Sequence, residues 1–117
     1  MQMNELSFGA AQPVDGYGPG FFRVGGRPMD GALCLSHGGC RAWGGLEDED
    51  ALVALAGEVD VIFVGLGAET GYLPKSLSAR LEAVGVGVEV MNTPSACRTY
   101  NVLLGEGRRV ALAVLPV

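Results

Sequence analysis

The chain has 117 residues, 49% of them hydrophobic and 18% charged, with a formal net charge of −5. That length supports one buried core and not two, and the acidic balance excludes a general nucleic-acid binder, which needs a basic face for phosphates. No apolar run reaches the roughly 20 residues that a membrane-spanning helix requires. The reading is a single domain over residues 1–117, with residues 1–9 loosely ordered and no membrane insertion.

Glycine, at 19 residues, falls between apolar runs and acts as punctuation. Phe21-Phe22-Arg23-Val24 reads as a strand, and Gly25-Gly26 after it is a two-residue hairpin signal, because both central positions of such a turn favour positive φ. Ala32 to Ser36 and Cys40 to Trp43 read as two more strands around a His37-Gly38-Gly39 turn, so the opening is β-rich, with the character of a meander. Trp43 and Phe21-Phe22 read either as an exposed interaction patch or, by default, as part of the core.

Four acids, Glu47 to Asp50, then open a helix, where they complement its partial positive N-terminal charge; a metal site is the competing, lesser reading. Leu52, Leu55 and Ala56 recur at helical spacing, and Gly57 ends the element. Val61-Ile62-Phe63-Val64 is apolar at every position, as in a strand covered on both faces. It runs into the loop Gly65 to Gly71. Pro74 suits the first turn of a second helix, whose inner face is Leu77, Leu81 and Val84, and Gly85 terminates it.

Val86, Val88 and Val90 alternate with Gly87, Glu89 and Met91, which marks a strand near a sheet edge with one face less buried. Asn92-Thr93-Pro94 starts a third helix, with Thr93 as the expected cap and Ala96, Tyr100, Leu103 and Leu104 as its buried stripe. Gly105 and Gly107 close it, and Val110 to Leu115 is a central strand. Two successive βα units predict a layered α/β domain, and the early hairpins make its sheet mixed.

Two segments at strand ends are candidates for chemistry. The loop Gly65-Leu66-Gly67-Ala68-Glu69-Thr70-Gly71 has GxGxxxG spacing, which matches neither the dinucleotide fingerprint nor a P-loop, since no lysine follows. Loops at the carboxyl ends of parallel strands are nevertheless where open α/β sheets bind ligands. The helix start at Thr93, Ser95 and Arg98 offers backbone N–H groups and a guanidinium to an anion or carboxylate. Either Gly65, Gly67, Thr93, Ser95 and Arg98 share a ligand site, or the glycines serve turn geometry and Arg98 pairs with an acid such as Glu106.

Cys97 is a candidate reactive thiol, because the helix N-terminus and Arg98 both lower a thiol pKa; the competing reading is a packed thiol, since no base stands near it in sequence. Tyr100 and Asn101 are polar groups on a half-buried helix and are read as a structural hydrogen-bond network. Cys34, Cys40 and Cys97 form no CxxC pair, and His37 is the lone histidine, so neither a disulfide framework nor a structural metal is expected. The N-terminal residues show no secretory or mitochondrial pattern, so a cytoplasmic location is expected.

Several segments together carry a family resemblance: Gly16-Tyr17-Gly18-Pro19-Gly20-Phe21, Val61 to Gly67, Met91 to Leu103, and Glu106-Gly107-Arg108-Arg109-Val110-Ala111. They resemble the family of the mitochondrial NADH dehydrogenase (complex I) alpha-subcomplex assembly factor three and the adipogenesis-associated domain proteins. The resemblance implies a three-layer α/β/α domain around a mixed central sheet in which one core strand runs antiparallel. Thr93, Ala96, Cys97, Arg98, Thr99, Tyr100 and Asn101 match the family's signature, with no established catalytic role to inherit; no cofactor is expected.

The resulting expectation is a non-enzymatic binding or assembly factor, with protein subunits of a respiratory or other membrane-associated complex as partners. The alternative is a small-molecule binding protein or enzyme using the 65–71 loop and the helix start at 93–98. A third reading is self-association through the β-rich first half.

Overall fold

The computed structural model describes residues 12–117; the expectation for residues 1–9 lies outside them. Three strands come first, β1 (Val14–Gly18), β2 (Phe21–Val24) and β3 (Arg27–Asp30), forming an antiparallel meander. Then follow β4 (Leu33–Ser36), β5 (Gly39–Ala42), α1 (Glu49–Val53), β6 (Val61–Leu66), α2 (Lys75–Ala83), β7 (Gly87–Met91), α3 (Thr93–Gly105) and β8 (Val110–Leu115). These last strands make a five-stranded sheet in the order β5-β4-β8-β6-β7.

β6 pairs in parallel with both β7 and β8, whereas β4 pairs antiparallel with β5 and β8. β4 is therefore the single strand running against the other four. The connection β6–α2–β7 crosses the sheet one way, and β7–α3–β8 returns past β6 the other way. Right-handed crossovers in opposite directions place their helices on opposite faces.

The side chains follow that rule. Phe63, Leu112 and Val114 pack on the α3 face with Ala96, Cys97 and Tyr100, and the meander adds Val14, Phe22 and Val24. Ile62, Val64, Ala111 and Ala113 face α1 and α2 with Leu52, Leu77 and Leu81. Neighbouring residues of β6 and β8 thus feed two separate cores, which is why both strands read as unbroken apolar runs. Burying one such large side chain is worth about 1.5–3 kcal/mol.

Several elements depart from the sequence reading. Val24 and Arg27 close the Gly25-Gly26 hairpin, with φ of 59° and 79° at the two glycines, but the returning strand is β3 and not the Leu33 segment. Strand β3 contains Pro28, which lacks a ladder donor and is tolerated at the edge of the meander. Strand β1 was hidden by Gly16 and Gly18, both poor strand formers. Leu33–Ser36 leaves the meander altogether and inserts between β5 and β8.

Helix α1 has five residues, ending before Gly57, and Val84 at the end of α2 is exposed while Leu77 and Leu81 are buried. The acidic run explains itself through α2. Arg80 pairs with Glu49 at 3.2 Å and Asp50 at 2.9 Å, and Ser76 donates a 2.6 Å hydrogen bond to Glu49. Ser76, followed by Arg80, holds the Glu49 carboxyl below its usual range. Trp43 is buried and donates through Nε1 to the Asp48 carbonyl, and Phe22 is fully buried.

Candidate functional site

Parallel pairing of β6 with β7 and β8 brings the carboxyl ends of all three strands to one end of the sheet. The two segments singled out from sequence meet there. Helix α3 begins immediately after β7, and its cap is Asn92, not Thr93: Asn92 Oδ1 accepts from the Ser95 N–H at 2.8 Å. Asparagine and threonine both cap well, and the choice falls to Asn92 because Thr93 is employed elsewhere.

The Thr93 hydroxyl accepts the Gly67 N–H at 2.9 Å and donates to the Leu115 carbonyl at 2.6 Å. Its backbone N–H donates to the Gly67 carbonyl at 2.8 Å. One fully buried side chain therefore ties together the ends of β6 and β8 and the start of α3. The glycines make room for it. A Cβ on Gly65 would lie 2.8 Å from the Thr93 Cα, the Thr93 Oγ1 and Val114 Cγ1, and Gly67 adopts a φ of 98°. Close approach and left-handed backbone account for two of the three glycines in the GxGxxxG spacing.

This arrangement decides what the helix start offers. The Thr93 N–H bonds Gly67, Pro94 has none, the Ser95 N–H bonds the Asn92 side chain, and the Ala96 N–H bonds the Asn92 carbonyl. The donors that usually make a helix N-terminus an anion site are occupied internally. An anion seated between Gly65, Gly67, Thr93 and Ser95 has to displace these bonds. Arg98 lies apart from the junction, exposed to solvent, and among the described residues it forms no ion pair, with Glu106 or any other acid.

Arg98 does border a crevice of about 260 Å³ between β1 and α3, together with Asp15, Tyr17, Pro94, Cys97 and Asn101. That Asp15 and Tyr17 line this crevice was not evident from sequence, because strand β1 was not. Cys97 lines the crevice wall but is 4% exposed, and burial pushes its thiol up to about 11. Burial thus outweighs the lowering expected from the helix N-terminus and Arg98. His37 sits on the exposed turn between β4 and β5. No cluster with metal-ligand geometry occurs among the described residues.

Tyr100 and Asn101 bind the meander to the helix. Tyr100 Oη donates to the Gln12 carbonyl at 2.9 Å, and burial pushes its phenol pKa well up. Asn101 accepts the Val14 N–H and donates to the Val14 carbonyl. The signal in the sequence was a polar pair on a helix expected to be half buried; its partner strand carried none.

Residues 14–115 match a protein family described as "Protein of unknown function (DUF498/DUF598)". The chain belongs to that family. An uncharacterized protein of Rhodobacter capsulatus is 50% identical over 117 residues, which span 100% of this chain and 94% of that protein. The human NADH dehydrogenase (ubiquinone) 1 alpha subcomplex assembly factor 3 is 30% identical over 113 residues. That match takes in 91% of this chain and 61% of the human protein, so the chain spans less than two thirds of the human relative's length.

The fold recurs in solved structures. An outer membrane protein of Bartonella henselae superposes with a TM-score of 0.84 at 29% identity, covering 91% of this chain and 95% of that one. A Bordetella pertussis protein described as a Mth938-like domain superposes at 0.75 with 30% identity, covering 90% and 85%. The three-layer α/β arrangement is thus that of the Mth938-like domain. No helix among the described residues is long and apolar enough to cross a membrane.

Proposed function

We propose that this DUF498/DUF598 protein is a non-enzymatic binding or assembly factor, cytoplasmic, whose partners are protein subunits of a respiratory or other membrane-associated complex. The observation that carries the reading is Thr93. At the end of the sheet where open α/β folds place ligands, its buried hydroxyl occupies the space between Gly65, Gly67 and Leu115 and uses their polar groups. Away from that junction, what stays available is the crevice beside Arg98 and the outer surface. The names of the assembly-factor relatives support the same reading.

Affinity purification from the native cells tests it. The expected result is recovery of a membrane-complex subunit in stoichiometric amount, from the membrane-associated as well as the soluble fraction. Repeated recovery of chaperones alone overturns it.

A second reading, a small-anion or carboxylate binder, rests on the crevice beside Arg98. A ligand at 100-fold excess over its Kd stabilises the protein by about 2.7 kcal/mol. A thermal-shift series with phosphate and short dicarboxylates reads this directly. The shift must vanish in Arg98→Ala while that variant alone melts with the parent.

A further inference from the structure

Strand β7 ends the five-stranded sheet, and among the described residues no strand pairs beyond it. Its outward groups follow from one bond on its inner side. The Gly87 N–H donates to the Asp60 carbonyl, and backbone polar groups alternate sides along a strand. Gly87, Glu89 and Met91 therefore turn their N–H and C=O toward β6, while Val88 and Val90 turn theirs outward.

The side chains divide the same edge. Val88 and Val90 pack on the α2 face, where they join Gly71, Tyr72, Leu73 and Ser78 around an open groove of about 380 Å³. Tyr72 is 95% exposed, a whole aromatic ring held at the rim of that groove by the loop between β6 and α2. Glu89 points the other way, to the α3 face, is exposed, and forms no ion pair among the described residues. Natural edge strands are blunted by short length, charges, prolines or bulges; β7 has five residues, one carboxylate and no proline.

We infer that the free edge of β7 docks an extended segment of a partner protein as an added strand, and that this segment carries a basic residue flanked by apolar ones. The pairing supplies backbone hydrogen bonds at Val88 and Val90, as in other strand-addition interfaces. Residues of the incoming strand that lie opposite Val88 and Val90 enter the groove beside Tyr72. The residue opposite Glu89 meets an unpaired carboxylate, and charge complementarity makes it lysine or arginine. A second copy of this chain fits less well, because a two-fold pairing centred on β7 sets Glu89 against Glu89. The inference deepens the assembly-factor reading and rests on it.

The test is a titration of the full ¹⁵N-labelled chain with a nine-residue peptide of alternating valine and threonine with a central lysine. The expected result is shifts confined to β7, Tyr72 and Leu73, with slowed exchange of the Val88 and Val90 amides. A peptide with central glutamate should bind roughly fivefold more weakly, and Glu89→Lys should reverse that preference. N-methylation of the peptide's edge-facing amides should abolish binding, a control that leaves the protein untouched.

Equal affinity for both peptides, or shifts away from β7, overturns the inference. So does concentration-dependent dimerisation in sedimentation that uses the β7 amides, since the occupant is then a second copy. Purification with the parent and Glu89→Lys side by side separates this inference from the reading beneath it. If both recover the same complex, the edge is wrong and the assembly role stands; if neither recovers one, the assembly role falls whatever the peptide does.

Discussion

The Asn101 side chain gives Val14 the two hydrogen bonds that a neighbouring strand would give it, accepting from its N–H at 2.8 Å and donating to its carbonyl at 2.9 Å. Strand β1 is thus paired on one side by β2 and on the other by a single amide on α3. The meander is held to the sheet's α3 face by that amide, by Tyr100 and by the apolar contacts of Phe22 and Val24.

Replacing Asn101 therefore acts on the meander first. Asn101→Ala should destabilise the protein by about 1–3 kcal/mol, because it strands the partly buried Val14 groups. Hydrogen exchange at the Val14 amide should accelerate more than exchange in β6. Asn101→Asp should retain the bond from the Val14 N–H and lose the one to its carbonyl. An unchanged Val14 exchange rate in Asn101→Ala would refute the role.

At the junction, the hydroxyl and not the volume of Thr93 is expected to matter. Thr93→Val keeps the shape but leaves the Gly67 N–H and Leu115 carbonyl without a partner. The expected loss is about 2–4 kcal/mol in urea denaturation, and Thr93→Ser should recover most of it. If valine and serine are equally tolerated, the hydroxyl is not what joins the strand ends.

Gly65→Ala tests the same contact from the other side. The added methyl meets the Thr93 backbone Cα at 2.8 Å, so the helix start or β6 has to shift. The expected cost is about 1–3 kcal/mol. Combined with Thr93→Val it should be non-additive, because the two positions share one contact. Strict additivity in the double mutant would show the sites to be independent.

The buried thiols set an alkaline limit on stability. Burial pushes Cys97 and Cys34 from the ordinary 9.0 up to about 11, with Arg41 partly opposing the rise at Cys34. Below 9.0 both folded and unfolded chains keep the proton, so stability is indifferent. Between 9.0 and about 11 the unfolded chain releases it and the folded chain does not. The native state then binds more protons, and stability falls as pH rises. Denaturation profiles of the parent and Cys97→Ala should diverge in this window and run parallel below it. Under native conditions a thiol reagent should label the partly exposed Cys40 before either buried cysteine.

The chain order of strands and helices from Val61 onward was legible in the residues themselves. Continuous apolar runs at Val61–Val64 and Val110–Leu115 mark strands buried on both faces, and the period of two at Val86–Met91 marks an edge. Proline, asparagine and glycine punctuate the helices between them. These are local signals, set by backbone preference and by which face a side chain must hide.

What the residues alone left open is pairing between distant segments. Leu33–Ser36 looks like a continuation of the meander, yet it docks antiparallel on β8, some 80 positions later, because its Leu33 and Leu35 complete the α3-side core while Cys34 completes the other. Thr93 looks like a cap until Gly67 and Leu115 arrive beside it. The side of Val14 turned away from β2 has no partner until Asn101 is folded against it. Local preference costs each of these segments little either way, so burial and hydrogen-bond satisfaction across the assembled sheet make the choice.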